Sequence, residues 1–236
     1  MHPLDNIIWK ALTTRQSEFA ESFKHARRFV PEVSPLAAFP EPTPEGYKSL
    51  ALLVSTGETL GLFLEAPYQP QPGWSFIAGA PMPEMVYEAD SVPDRHSPSE
   101  PEILELGTAD VPDMMALTAL TKPGPFGKRT HELGTYLGIR LDGKLVAMTG
   151  ERLKIPGYTE VSAVCTHPQH TGNGYARILM AEVMRRICSR GETPLLHVRQ
   201  DNVRAIELYE RLGFRQRVLL HFAVLRKEQV FPGTES

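Results

Sequence analysis

The chain has 236 residues, enough for one large or two small domains, and its 42% hydrophobic content is ample for a packed core. A formal charge of −3, with Lys and Arg scattered rather than clustered, offers no surface for a nucleic acid. No stretch approaches the ~20 apolar residues that span a bilayer, and the first residues lack a signal-peptide pattern, so a cytoplasmic protein without a membrane partner is expected.

In chain order, Ile8, Leu12, Phe19, Phe23 and Ala26 recur at helical spacings and their multiples, which predicts one or two helices between Asn6 and Val30. Pro31, Pro35, Pro40, Pro42 and Pro44 then favour an extended peptide. A hairpin is expected from Leu50–Ser55 and Thr59–Glu65 around Gly57, with further strands at Trp74–Ile77 and Met85–Glu88. Asp90 to Pro101 is rich in turn residues and reads as a linker in which His96 is merely solvated, so the chain divides into 1–95 and 96–236.

Ile103–Leu106 predicts a short strand, and Asp110 is placed to cap a helix through Met114, Leu117 and Leu120. Tyr136–Arg140 and Leu145–Glu151 form a hairpin around Asp142-Gly143. Val161–Thr166 is a buried strand that Pro168 stops, and Ile178, Leu179, Val183, Met184 and Ile187 mark an amphipathic helix after it. A second strand at Leu195–Val198 and a helix through Ile206 and Leu212, ended by Gly213, complete a strand-helix-strand-helix unit with the two strands parallel. Val218–Leu225 can close the sheet, and the tail from Lys227 is expected to fray. Cys165 and Cys188, one on a strand and one on a helix, suggest structural thiols, and neither has metal-ligand spacing.

The turn Gln169-His170-Thr171-Gly172-Asn173-Gly174-Tyr175-Ala176 carries chemistry. Glycines let a backbone approach a ligand closely, and the unpaired N–H groups of a helix start suit a diphosphate. Alone, a G-x-G before a helix is more often a simple turn.

Two motifs in order, with a strand between them, change that reading. Gln169, Gly172 and Gly174 match Q/R-x-x-G-x-G/A, and Asn202, Ala205, Tyr209, Gly213 and Phe214 match N-x-x-A-x-x-x-Y-x-x-x-G-F. In these the chain resembles the GNAT family of acyl-CoA-dependent N-acetyltransferases over roughly Pro101 to Lys227. The resemblance implies an α+β GNAT fold, a central mixed sheet flanked by helices, with a smaller α+β N-terminal lobe that is similar to a degenerate GNAT half. It implies acetyl-CoA (or CoA) as cofactor and a small-molecule amine, amino-acid-like, as acceptor.

By the same resemblance Val164, Cys165 and Thr166 lie where a bulged strand offers a main-chain N–H to the thioester, and Gln169 to Ala176 where the diphosphate is held. Asn202 and Ala205 fall beside the pantetheine arm, Tyr209 where a phenol protonates the leaving thiolate, and Glu160 where a strand carboxylate serves as base. The loop KPGPFGKRTHEL falls on the acceptor side, with Phe126 and Arg129 as substrate contacts; a rigid surface loop whose Phe plugs the core is the equal alternative. Thr171 and Asn173 depart from the basic residues usual in the family, which leaves Arg177 or Arg204 to supply the missing charge. Two other functions fit the residues: a non-catalytic acyl-CoA-binding or sensor module, and transfer of a larger acyl group, as in glycine N-acyltransferases. No motif encodes the acceptor or the oligomeric state.

Overall fold

The computed structural model describes residues 2–89 and 101–229. In chain order the elements are helix α1 (Ile7–Thr13), strands β1 (Ala20–Phe23), β2 (Ala26–Phe29) and β3 (Ala37–Ala38), helix α2 (Pro44–Ala51), strands β4 (Thr59–Leu64), β5 (Trp74–Tyr87) and β6 (Leu104–Leu106), and helix α3 (Val111–Thr121). There follow strands β7 (Tyr136–Leu141), β8 (Lys144–Ile155) and β9 (Tyr158–Thr166), helix α4 (Tyr175–Ser189), strand β10 (Thr193–His197), helix α5 (Val203–Arg211) and strand β11 (Phe214–Lys227). The fold class is α+β.

Two compact units divide the chain, and neither is continuous in sequence. Of the described residues, 2–31, 35–82 and 219–229 form the first, and 32–34, 83–89 and 101–218 the second. The 95/96 division and the linker with His96 lie outside the described residues, as does the tail beyond residue 229.

In the first unit α1 buries Ile7, Ile8, Ala11 and Leu12. The helical reading stops there. Residues Ala20 to Phe29 form an antiparallel hairpin, β1 on β2, with Ala20 opposite Phe29 and Lys24 at a φ of 45° in its turn. Apolar spacings of seven residues satisfy a helix pattern, but cross-strand partners decided this segment. The proline-rich stretch is also not extended throughout. Thr43 Oγ1 accepts from Gly46 N at 3.2 Å and Pro44 occupies the first turn, where its missing N–H costs nothing, so α2 forms and takes Leu50 and Ala51 with it. The hairpin expected at Leu50–Glu65 is therefore a helix followed by β4, whose partner is the far half of β11, with Leu62 opposite Ala223. Tyr47, Leu50, Leu60, Leu62, Trp74, Ala223 and Leu225 make this unit's core. Trp74 to Tyr87 is one continuous strand, where two short ones were expected.

In the second unit the strand order is β5 (its residues 83–87), β10, β9, β8, β7, β6. The β10–β9 pair is parallel, as read from the sequence, and the other neighbours are antiparallel. Helix α4 covers one face through Leu179, Met180, Val183, Met184 and Ile187, which meet Val161, Leu196 and Tyr209. A second cluster gathers Met114 and Leu117 of α3 with Tyr136, Met148, Ala163 and Cys165. Asp110 stands before α3 without capping it by its side chain; its carboxylate accepts from Gly107 N at 2.9 Å and pairs with Arg140 at 2.6 Å. No helix among the described residues is long and apolar enough to cross a membrane.

Candidate active site

Strand β9 changes character halfway. Gly150 of β8 faces Ser162 and Met148 faces Cys165, so Ala163 and Val164 together oppose Thr149 alone. This is a β-bulge, with Ala163 at a φ of 54° that side chains rarely adopt. Thr149 Oγ1 reinforces it by donating to Ser162 O at 3.1 Å. On the opposite edge the ladder to β10 ends at Leu195 opposite Glu160, although β9 runs on to Thr166 and β10 to His197. Cys165 and Thr166 thus keep β8 on one side, and all of Val164, Cys165 and Thr166 have lost β10 on the other.

The turn after β9 is folded by its own side chains. His167 Nδ1 accepts from Gln169 N at 3.2 Å, Thr171 Oγ1 donates to Pro168 O at 3.1 Å, and Asn173 Nδ2 donates to His170 O at 3.0 Å. Gly172 and Gly174 have φ of 89° and 78°, with open space where a Cβ would stand. Backbone conformation, rather than crowding within the protein, is what calls for glycine here. The main-chain bonding of α4 begins with Ile178 N to Gly174 O at 3.1 Å, so the amides of Tyr175, Ala176 and Arg177 precede it at the helix's positive end. Residues Thr171 to Gly174 are exposed.

Helix α5 brings the second motif alongside. Asn202 caps it, Oδ1 accepting from Ala205 N at 3.3 Å, and Ala205 packs against the α4 core. Gly213 takes the left-handed conformation past the helix end, with a φ of 98°. Tyr209 is buried, its ring edge-on to Phe214 at 6.3 Å. Burial pushes its phenol up to about 12, and the Cys165 thiol of β9 adds to the shift. Burial likewise pushes that thiol up to about 11, so both groups keep their protons at neutral pH.

Phe126 is half-buried, edge-on to Tyr136 with ring centroids 5.6 Å apart, and packs on the α3 cluster. Arg129 is exposed and holds Glu132 with two hydrogen bonds of 2.8 and 2.7 Å. The loop is anchored through Arg129 N to Glu32 O at 3.0 Å and Thr130 Oγ1 to Val33 O at 2.6 Å.

Glu160, the carboxylate that the resemblance made a base, lies in the core of the second unit. It has no exposed surface. Arg152 Nε and Nη2 donate to it at 2.8 and 2.6 Å, Leu153 N at 3.3 Å, and His197 Nδ1 lies 2.7 Å from Oε1. Burial alone would raise its pKa, but Arg152 and His197 outweigh that and hold it down at about 2. A carboxylate so engaged is a poor proton acceptor. Sequence reasoning missed Arg152, His197 and, beyond them, Glu84 and Arg217. The signal available was charged residues at strand positions flanked by apolar ones, since buried charges must find partners. No group of His, Cys, Asp and Glu among the described residues could hold a metal ion.

Residues 136–222 match the family model FR47-like protein. No curated protein matches the chain. Among solved structures, a GNAT-family protein from Novosphingobium aromaticivorans DSM 12444 is 38% identical, with a TM-score of 0.89 over 97% of this chain and 100% of that one. A GCN5-related N-acetyltransferase from Kribbella flavida has a TM-score of 0.61 at 17% identity over 97% and 93%. A GCN5-related N-acetyltransferase-like protein from Streptococcus suis 89/1591 has 0.58 at 14% over 95% and 93%. The last two show likeness of fold alone. Identity of 38% over nearly the whole of both chains, on top of the bulged strand, the glycine turn and the buried tyrosine, settles the assignment: the chain belongs to the GNAT family.

Proposed function

We propose that this chain is an acyl-CoA-dependent N-acetyltransferase that moves an acetyl group from acetyl-CoA to the amine of a small, amino-acid-like acceptor. The observation that carries this reading is the coincidence of the Ala163–Val164 bulge with the end of the β9–β10 ladder. Together they leave main-chain groups of Val164 and Thr166 facing the side that β10 has vacated, while those of Cys165 turn to β8. An N–H there is a donor for an oxygen on which negative charge develops, and losing such a donor typically costs about 2.7–4 kcal/mol.

The glycine turn fits a diphosphate in its donors, since α4 presents the amides of Tyr175, Ala176 and Arg177 ahead of its first internal bond. Thr171 and Asn173 use their side chains to fold the turn, so the main chain does most of the holding, with Arg177 or Arg204 to add charge. Gln169 and His170 flank the turn, and Asn202 and Ala205, at the start of α5, would hold the arm that joins diphosphate to thioester.

Acetyl-CoA, when bound, supplies an acyl group activated as a thioester. Tyr209, protonated at neutral pH, gives its proton to the departing sulfur as the carbon–nitrogen bond forms. We assign the amine's proton to water rather than to Glu160, whose oxygens Arg152, His197 and Leu153 already hold. Phe126 and Arg129 are assigned to the acceptor side, Phe126 as packing that fixes the loop and Arg129 as its exposed rim, paired with Glu132.

The test is thiol release from acetyl-CoA with a panel of amines and amino acids. An amine-dependent release is expected. Binding of acetyl-CoA with no amine raising release would favour the non-catalytic module, and faster release from longer acyl-CoA thioesters would favour larger acyl groups.

A further inference from the structure

One group of buried charges in the second unit takes no part in the proton transfers proposed above. Glu84, Glu160 and the imidazole of His197 have no exposed side-chain surface, and they come from β5, β9 and β10. His197 Nδ1 stands 2.7 Å from Glu160 Oε1 and its Nε2 stands 3.3 Å from Glu84 Oε2. Arg152 of β8 closes on Glu160, and Arg217 of β11 on Glu84. Tyr136 of β7 lies against the same cluster, its buried hydroxyl unpaired among the described residues.

Buried ion pairs contribute little to stability compared with apolar side chains of the same volume, so two carboxylates, two arginines and a histidine in a core call for another explanation. Their position supplies one. His197 faces Glu84 directly in the β10–β5 ladder, whereas the β9 ladder has already stopped two residues earlier, at Leu195. The imidazole therefore reaches back from beyond the end of the ladder to Glu160, the last β9 residue whose main chain pairs with β10. His197 as a whole residue is only half-buried although its ring is covered, so its main chain is the part that borders the opening.

We propose that His197 is a positioning residue for acyl transfer: hydrogen-bonded through Nδ1 to Glu160 of β9 and in ionic contact through Nε2 with Glu84 of β5, it sets how far β9 and β10 part beside the bulge. It thereby aims the amides of Val164 and Thr166. The role in transfer rests on the acetyltransferase reading above, and the tie itself does not.

The experiment compares the full chain with His197→Asn and Glu84→Gln by hydrogen exchange and by acetyl-CoA kinetics. In His197→Asn, peptides covering 161–166 are expected to exchange at least tenfold faster while those covering 136–150 stay within twofold. The kcat/KM for acetyl-CoA is expected to fall at least tenfold, chiefly through KM, with partial recovery in His197→Gln. The double variant His197→Asn/Glu160→Gln should be within about twofold of the worse single one, since both cut the same tie. Unchanged exchange at 161–166, or equal acceleration in both peptides, overturns the proposal, as does a kcat/KM that stays at the wild-type value. If His197→Asn does not fold, Glu84→Gln carries the same comparison from the other end. Faster exchange at 161–166 in a protein whose wild type never turns over acetyl-CoA would overturn the transfer role and the acetyltransferase reading, and leave the tie standing.

Discussion

Arg152 grips Glu160 with two donors of its guanidinium, Nε at 2.8 Å and Nη2 at 2.6 Å, in a part of the second unit where the carboxylate has no exposed surface. Removing one partner of such a pair strands the other. Arg152→Met is expected to cost about 3–5 kcal/mol in chemical denaturation, and Arg152→Met/Glu160→Leu to recover most of it. A single variant as stable as wild type would show that solvent reaches Glu160.

Acid titration follows from the same pair. Glu160 is held down at about 2 when folded, against an ordinary carboxyl near 4.5, so its contribution is complete above about pH 4.5 and lost as pH falls toward 2. His197 has the opposite sign: burial alone would lower its pKa, but Glu160 and Glu84 outweigh it and raise the value above 6.5, so its contribution is complete below that pH and lost on the alkaline side. Thermal melting against pH should show a shallower acid limb in Glu160→Gln and a shallower alkaline limb in His197→Asn.

Tyr209→Phe keeps the ring that packs on Phe214 and removes the proton. Turnover should fall by roughly 10²–10⁴-fold, while acetyl-CoA affinity by calorimetry stays within about twofold. A matching loss of affinity would make Tyr209 a packing residue.

Gly172→Val and Gly174→Val each force a β-branched residue into a left-handed φ, although nothing crowds either Cβ. The cost in unfolding is expected at about 1–2 kcal/mol. Acetyl-CoA binding should weaken by at least tenfold, because the turn that aims the amides of Tyr175 to Arg177 is displaced. Affinity unchanged in both variants would remove the turn from the binding site.

Gly150→Ala tests the packing that supports the bulge. The added Cβ would run into the ring of the buried Tyr136. Destabilisation of about 1–3 kcal/mol is expected. Gly150→Ala/Tyr136→Leu should restore part of it.

The strand-turn-helix from Val161 to Ile187 and the parallel strand at Leu195 were legible in the sequence because local signals agree there. Pro168 ends the strand, glycines mark the turn, apolar residues recur at helical spacing, and Gly213 ends α5. The glycine turn and Tyr209 were singled out through their resemblance to GNAT motifs, which could be matched because each lies within one short segment. The hairpin at Ala20–Phe29 and helix α2 were misread because weak local patterns lost to a cross-strand partner and a Thr43 cap. The fate of Glu160 lay beyond any local reading. Its partners come from residues 152 and 197 on neighbouring strands, and whether a carboxylate is a solvated base or a buried clamp depends on which charges the folded sheet sets against it. In the second unit sequence determined the order of elements and the motifs they carry, since those depend on near neighbours. Tertiary structure alone decided the bulge, the end of the β9–β10 ladder and the charge cluster beside it, since each arises from residues far apart in the chain meeting across strands.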